Sequence, residues 1–216
     1  MVTIDGPGGA GKGTVAAGLA RRLGWHWLDS GSLYRALGWL AAREKLFEAP
    51  DETLADLASR INVVPAGPDT HVTADGQDIR EWLREEKAGE WASQIAVRPQ
   101  VRKQLLPLQQ ACRIPPGLIT DGRDMGTVVF PDAVLKVYLT ASPKSRAERR
   151  LKQLNALGVH GNLTDLTREI AARDERDRTR ALSPLSPAPD AWVIDSTHLS
   201  AEQVIEQIWG AGRCFF

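Results

Sequence analysis

Nine residues close to the start of the chain, Gly6-Pro7-Gly8-Gly9-Ala10-Gly11-Lys12-Gly13-Thr14, constrain the fold more than any other stretch. Their spacing is Gly, four residues, Gly-Lys, then a hydroxyl, the pattern of a phosphate-binding loop. Val2-Thr3-Ile4-Asp5 before it reads as a short strand, and Val15 to Leu23 after it reads as a helix closed by Gly24. Glycines let the backbone take turns that other residues resist. The loop amides and the helix N-terminus then converge on one anion-sized hollow. Lys12 is placed to reach the β- and γ-phosphates of a nucleotide.

The rest of the chain has to fit around that unit. At 216 residues it suits one domain with room for a small inserted subdomain. The 27 basic and 27 acidic residues cancel, so no polyanion-binding surface and no nucleic-acid partner are expected. Any phosphate recognition beyond the loop must come from local clusters of arginine. No apolar run approaches the ~18 residues of a membrane span. With strand and loop at the very start, no signal peptide is expected. Cys112 and Cys214 lack metal-ligand spacing and read as free thiols, so the expected compartment is the cytoplasm. Four scattered histidines argue against a zinc site. No apolar stripe is left over for a partner, which makes a monomer the expectation.

Strand and helix patterns alternate along the chain. Strands are read at Val2–Asp5, Trp25–Leu28, Leu118–Asp121, Val134–Leu139 and Trp192–Asp195. Helices are read at 13–24, through Tyr34 to Leu40, at 51–60, in one long segment from Glu90 to about Arg113, at 143–157, at 165–180 and at 200–209. Ser30 or Ser32 is a candidate cap for the second of these. Gly158 to Asn162 interrupts two charged helices. This alternation predicts an α/β fold, a parallel sheet flanked by helices of the P-loop NTPase type. Between residues 61 and 92 the texture changes to short strands joined by an Asp75-Gly76 turn, the mark of a β-containing insertion.

Two further constellations carry chemistry. Leu118-Ile119-Thr120-Asp121-Gly122-Arg123-Asp124 ends a buried strand in an acid, where phosphate-loop proteins place the carboxylate of the magnesium shell. Asp121 is that candidate, acting through water, because magnesium keeps several of its waters. Arg123 and Asp124 lie just beyond, at the sheet edge where ligands bind. The second is Arg173-Asp174-Glu175-Arg176-Asp177-Arg178-Thr179-Arg180. Helical spacing sets Arg173, Asp177 and Arg180 on one face. A solvated salt-bridged helix and a guanidinium clamp for several phosphates both fit this run.

Together these residues resemble the bacterial cytidylate kinases. Gly-Lys-Gly-Thr in the loop is similar to the nucleoside monophosphate kinase variant. The resemblance extends through Ile4 to Thr14, Leu28-Asp29-Ser30-Gly31 with Tyr34-Arg35, Asp121 to Ala133, and Arg173 to Arg180. The stretch Asp-Gly-Arg-Asp-Met-Gly-Thr-Val-Val-Phe-Pro discriminates best, since an adenylate kinase is expected to carry Asp-Gly-Phe-Pro-Arg there. One departure is an almost missing extension ahead of the first strand.

The resemblance implies ATP-dependent phosphorylation of CMP and dCMP to CDP and dCDP, with ATP and Mg2+ required. It implies that Gly6 to Thr14 hold ATP and that Thr14 and Asp121 serve the metal through nucleotide and water. Ser30, Ser93, Arg102 and Asp124 would contact cytosine and the acceptor pocket, and Arg35, Arg123 and Arg173 would clamp the acceptor and transferring phosphates. Asp177 would meet the sugar hydroxyls and Arg180 would close over the nucleotide. Lys12, Arg123, Arg173 and Asp121 would be catalytic. The implied organisation is a core of 1–60, 93–145 and 181–216, a monophosphate-binding insertion at 61–92 and a short helical lid at 146–180. Two alternatives stay open: a related kinase of UMP or another small molecule, and a non-enzymatic nucleotide switch.

Overall fold

The central strands are buried on both faces, which is why they read as near-continuous apolar runs. In the computed structural model, which describes residues 1–156, 158 and 161–215, β1 (Val2–Asp5) and β6 (Leu118–Gly122) are buried throughout. They belong to a five-stranded sheet in the order β2-β6-β1-β7-β8, with β2 (His26–Asp29), β7 (Leu135–Thr140) and β8 (Trp192–Asp195) completing it. Every pairing in this sheet is parallel. The helices α1 (Lys12–Leu23) and α8 (Ala201–Gly212) close over one face; Val15, Leu19, Val204 and Ile208 share a cluster with Ile4, Val137 and Leu139. Ser200 caps α8 in a reciprocal box with Gln203. The parallel sheet and flanking helices match the α/β expectation.

Register brings the acids together. Asp29 lies opposite Asp121, Ile4 opposite Asp121 and Asp5 opposite Gly122, so three carboxylates end their strands at one level. That level is the carboxyl edge of the sheet, where open α/β folds bind ligands.

The predicted β patch is a three-stranded antiparallel sheet of β3 (Ile61–Ala66), β4 (Asp69–Ala74) and β5 (Gln77–Asp78). Its tight turn holds Asp75 at φ 52° and Gly76 at φ 73°, the left-handed pair that a two-residue hairpin needs. Arg60 and Arg43 both bond the Asp75 carboxylate, fixing the turn to the helical segment before it. The sheet leans on β2, where Trp27 N donates to Gly67 O at 2.9 Å and Asp29 N to Thr70 Oγ1 at 3.1 Å. Its Ile61, Val72 and Ala74 share one apolar cluster with α2 (Ser30–Glu44), α3 (Asp51–Asp56), α4 (Glu86–Ile95) and α5 (Pro99–Ala111).

The single helix predicted from Glu90 to Arg113 is two. It breaks at residues 96–98 because Pro99 disfavours helical backbone in the residue before it; Arg98 sits at φ −79°, ψ 118° and α5 restarts with Pro99 in its first turn. Pro107 is accommodated inside α5.

The helices α6 (Pro143–Ala156) and α7 (Leu163–Thr179) form a hairpin with an apolar cluster of its own, Ala147, Leu154 and Leu166 backed by Leu151, Leu163 and Ile170. Asn162 caps α7, accepting from Thr164 N at 2.8 Å. Leu157, Val159 and His160 lie outside the described residues, and with them the end of the helix predicted to reach residue 157 and part of the predicted interruption. Among the described residues no helix is long and apolar enough to cross a membrane.

Candidate active site

The loop after β1 is shaped by close backbone contact. Gly6 has φ 146°, and a Cβ there would run into the Leu139 carbonyl of β7. Gly8, Gly9, Gly11, Lys12, Gly13 and Thr14 wall one side of a 430 Å³ cavity. Gly6, Pro7 and Ala10 form the underside of the loop instead: Ala10 is buried in the core and the Pro7 carbonyl accepts from Lys12 Nζ at 2.9 Å.

Every other predicted site residue reaches the same cavity. Ser30 and Arg35 come from α2, Ser93 from α4 and Arg102 from α5. Asp121, Arg123 and Asp124 come from the end of β6, and Arg173, Asp177 and Arg180 from α7 and its C-terminal cap. The break between α4 and α5 matters here, because it lets one side chain from each helix face the cavity. Neither serine caps α2 as predicted. Ser30 Oγ donates to the Asp121 carbonyl at 2.7 Å and Ser32 Oγ to the Asp29 carbonyl, so Asp29 starts the helix without a side-chain cap.

Ion pairs order the cavity walls. Arg123 Nε donates to Asp177 Oδ2 at 2.7 Å, and its guanidinium also lies over Gly8 of the loop. Arg102 pairs with Asp124, whose other oxygen is 3.9 Å from Arg180. Arg35 pairs with Asp29. Cations still exceed anions: Lys12, Arg35, Arg102, Arg123, Arg173 and Arg180 line the cavity against Asp29, Asp121, Asp124 and Asp177. In a chain of zero net charge this is a concentrated positive site.

The titratable groups register the crowding. Burial and then the Arg123 charge push Lys12 well below the usual lysine range. Burial and then Arg123 bring Arg173 down to about 10. Burial raises Asp121, with Asp29 adding to the effect. Burial opposes ionisation of Asp177, but Arg123 more than offsets it and holds that carboxyl low. Burial also pushes the Tyr34 phenol up to about 12. Four buried polar atoms of the pocket have no hydrogen-bond partner: Arg35 Nε, Ser93 Oγ, Arg173 Nε and Arg180 Nη2. Buried donors are rarely left unused in folded proteins, so these point to a ligand that accepts from them.

Sequence reasoning missed several residues that organise this site. Trp27 Nε1 donates to Asp121 Oδ1 at 2.8 Å. Asp5 accepts from Met125 N at 2.9 Å and Gly126 N at 2.7 Å, anchoring the π-helical turn Met125–Val129 directly behind Asp124. Burial raises the Asp5 carboxyl to about 6, against the pull of those two amides. Arg146 sits buried beneath the loop, and Arg149 donates to Ala10 O at 3.2 Å and Ser196 Oγ at 3.0 Å. The one available signal was the density of basic residues in the helix read at 143–157.

Among the described residues no three His, Cys, Asp or Glu side chains gather into a metal nest. The Asp121 carboxylate and Thr14 hydroxyl do line the cavity beside Lys12. Hard oxygen donors in small number suit a magnesium ion that keeps water and phosphate as its other ligands.

Comparison with known proteins agrees with this geometry. The family model described as "Cytidylate kinase" matches residues 2–212. The chain is 51% identical to the cytidylate kinase of Azotobacter vinelandii over 96% of its length and 93% of that protein. It is 50% identical to the cytidylate kinase of Pseudomonas fluorescens over the same shares. It is 48% identical to that of Bordetella bronchiseptica over 96% of its own length and 92% of that protein.

Proposed function

The chain belongs to the cytidylate kinase family, and from that premise we propose that it transfers the γ-phosphoryl group of ATP to CMP and dCMP, giving CDP and dCDP. It is a phosphotransferase. The observation that carries the acceptor reading is the buried cluster of cations facing the loop, with donors on Arg35, Arg173, Arg180 and Ser93 left unpaired. A nucleotide switch has no second phosphate to hold and would not need that wall. Lys12, Arg123 and Arg173 repel one another at close quarters, and two sets of phosphates would supply counter-charge to them.

ATP lies with its β- and γ-phosphates in the Gly6 to Thr14 loop, Lys12 leaving the Pro7 carbonyl to meet them. Arg123 takes the transferring group; its contact with Gly8 and the hold of Asp177 on its Nε edge support that role. Arg35 and Arg173 hold the acceptor phosphate. Arg102 and Asp124 present opposite polarities, one to the O2/N3 edge of cytosine and one to its exocyclic amine, with Ser30 and Ser93 beside them. Asp177 takes the sugar hydroxyls and Arg180 closes over the nucleotide. No general base is needed, because a phosphate oxygen with a second pKa of ~6 is already ionised at neutral pH. Catalysis is positioning and charge neutralisation. Thr14 and, through water, Asp121 are the residues that would hold magnesium, which would supply positive charge to the nucleotide phosphates.

The insertion at 61–92 serves the monophosphate and the hairpin at 146–180 acts as the lid, excluding water as it closes. We expect a monomer working in the cytoplasm. Chromatography of a reaction containing ATP, Mg2+ and CMP tests the reading: CDP and ADP must appear in equal amounts. ADP released without CDP would overturn it.

A further inference from the structure

Arg146 makes three bonds to three parts of the molecule, the end of β7, the phosphate loop and α7. Its Nε donates to Ala141 O at 3.0 Å, at the end of β7. Its Nη1 donates to Gly8 O at 2.9 Å, in the middle of the phosphate loop. Its Nη2 pairs with Asp174 Oδ2 of α7 at 2.6 Å. The pair is almost wholly buried, with 4% and 9% of the two side chains exposed. The loop rides directly on this residue: a Cβ at Gly9 would come within 3.1 Å of Arg146 Cβ and 3.2 Å of its carbonyl oxygen.

Asp174 sits between the residues that face the acceptor. It follows Arg173, and one turn later Asp177 holds Arg123. The apolar residues of α6 and α7 pack chiefly with each other, so α7 meets the core largely through charged contacts at this end. A second cavity, of 880 Å³, opens between α4 and α7, and Gly8, Gly9, Arg173 and Asp174 are among its walls. The Oδ1 atom of Asp174 is buried without a hydrogen-bond partner, so this carboxylate is held by the arginine alone on one side.

We propose that Arg146 is a positioning residue that couples the two nucleotide sites: donor phosphates in the loop fix Gly8, Gly8 fixes Arg146, and Arg146 through Asp174 sets α7 with its acceptor-binding arginines. Ordering paid for by the first nucleotide is then not required of the second, which produces cooperativity without direct contact between the two ligands. Reciprocity follows, so CMP tightens ATP by the factor that ATP tightens CMP. This inference rests on the acceptor reading above.

The test is the CMP dissociation constant, measured by calorimetry with and without a non-hydrolysable ATP analogue, on the wild-type chain, Arg146→Gln and Asp174→Asn. In the wild type the analogue should tighten CMP about fivefold or more, within the usual range for coupled sites. In both variants that ratio should fall towards one; in Asp174→Asn, CMP alone and the analogue alone each bind within about threefold of wild type, whereas Arg146→Gln, which also removes the bond to Gly8, weakens the analogue itself. Asp174→Asn keeps the shape of the side chain and decides the matter if thermal melting shows Arg146→Gln unfolded. An unchanged ratio in the folded variants overturns the proposal, and so does equal weakening of each nucleotide with the ratio kept. A wild-type ratio of one also overturns it. A wild-type chain that binds the analogue but no CMP fails the acceptor reading instead.

Discussion

Arg102 and Asp124, the two groups assigned to opposite edges of cytosine, are paired with each other, Asp124 buried and the Arg102 side chain 11% exposed. Arg180 approaches the far side of the same carboxylate at 3.9 Å. A base entering the pocket must slot between these partners or share them. The carboxylate then selects a ring bearing an amine over one bearing a carbonyl.

Asp124→Ala should therefore lower kcat/KM for CMP about 10- to 200-fold and narrow the preference for CMP over UMP, because Arg102 is left buried without its partner. Steady-state kinetics with both nucleotides checks this. An unchanged CMP/UMP ratio would remove Asp124 from base recognition.

Arg123→Ala should act on a different step. Its guanidinium lies over Gly8 and is braced by Asp177, so its loss should cut kcat by about 10³-fold with a small change in the KM for CMP. A raised KM for CMP with kcat unchanged would instead mark it as a ground-state contact.

Lys12 gives a pH signature. Its pKa in the free protein is depressed by burial and by Arg123, so at pH 8 part of the population carries a neutral amine. The triphosphate favours the ammonium form and further disfavours the Asp121 carboxylate, already raised by burial. Both effects have the same sign. Metal-free ATP binding at pH 8 should take up protons and weaken as pH rises, which calorimetry in buffers of different ionisation enthalpy would detect. Proton release on binding would contradict this assignment.

Asp5 should make stability fall as pH rises across a defined window. Its folded pKa of about 6 lies above the unfolded value of 3.8, so between those limits the folded state binds the extra proton. The contribution is fully present below about pH 4 and lost by about pH 6, at most ~3 kcal/mol in total. Urea titrations of the wild type and Asp5→Asn between pH 4 and 7 check this, the variant lacking that term.

Much of this was legible before the fold. The loop, the alternation of strands and helices, Asp121 to Asp124 and the Arg173 to Arg180 helix face rest on local patterns of spacing and charge; Ser30, Arg35, Ser93 and Arg102 rest only on the family resemblance, and the cavity gathers both groups together. What stayed hidden depends on distance along the chain. Trp27 reaches Asp121 across 94 residues and Asp5 reaches Met125 across 120, with no local pattern to mark either. Ser30 looked like a helix cap because its sequence position allows it, but Asp121 lies next to it in space and takes its hydroxyl. The break at Arg98 was local and readable from Pro99; the surrounding helical periodicity masked it.

The claim that CMP and dCMP are the acceptors is tested most directly by a coupled assay of ADP release at fixed ATP and Mg2+, run with CMP, dCMP, UMP and AMP. The pocket predicts the highest kcat/KM for CMP and dCMP, with UMP at least tenfold lower and AMP lower still. UMP or AMP turned over as well as CMP would contradict the account.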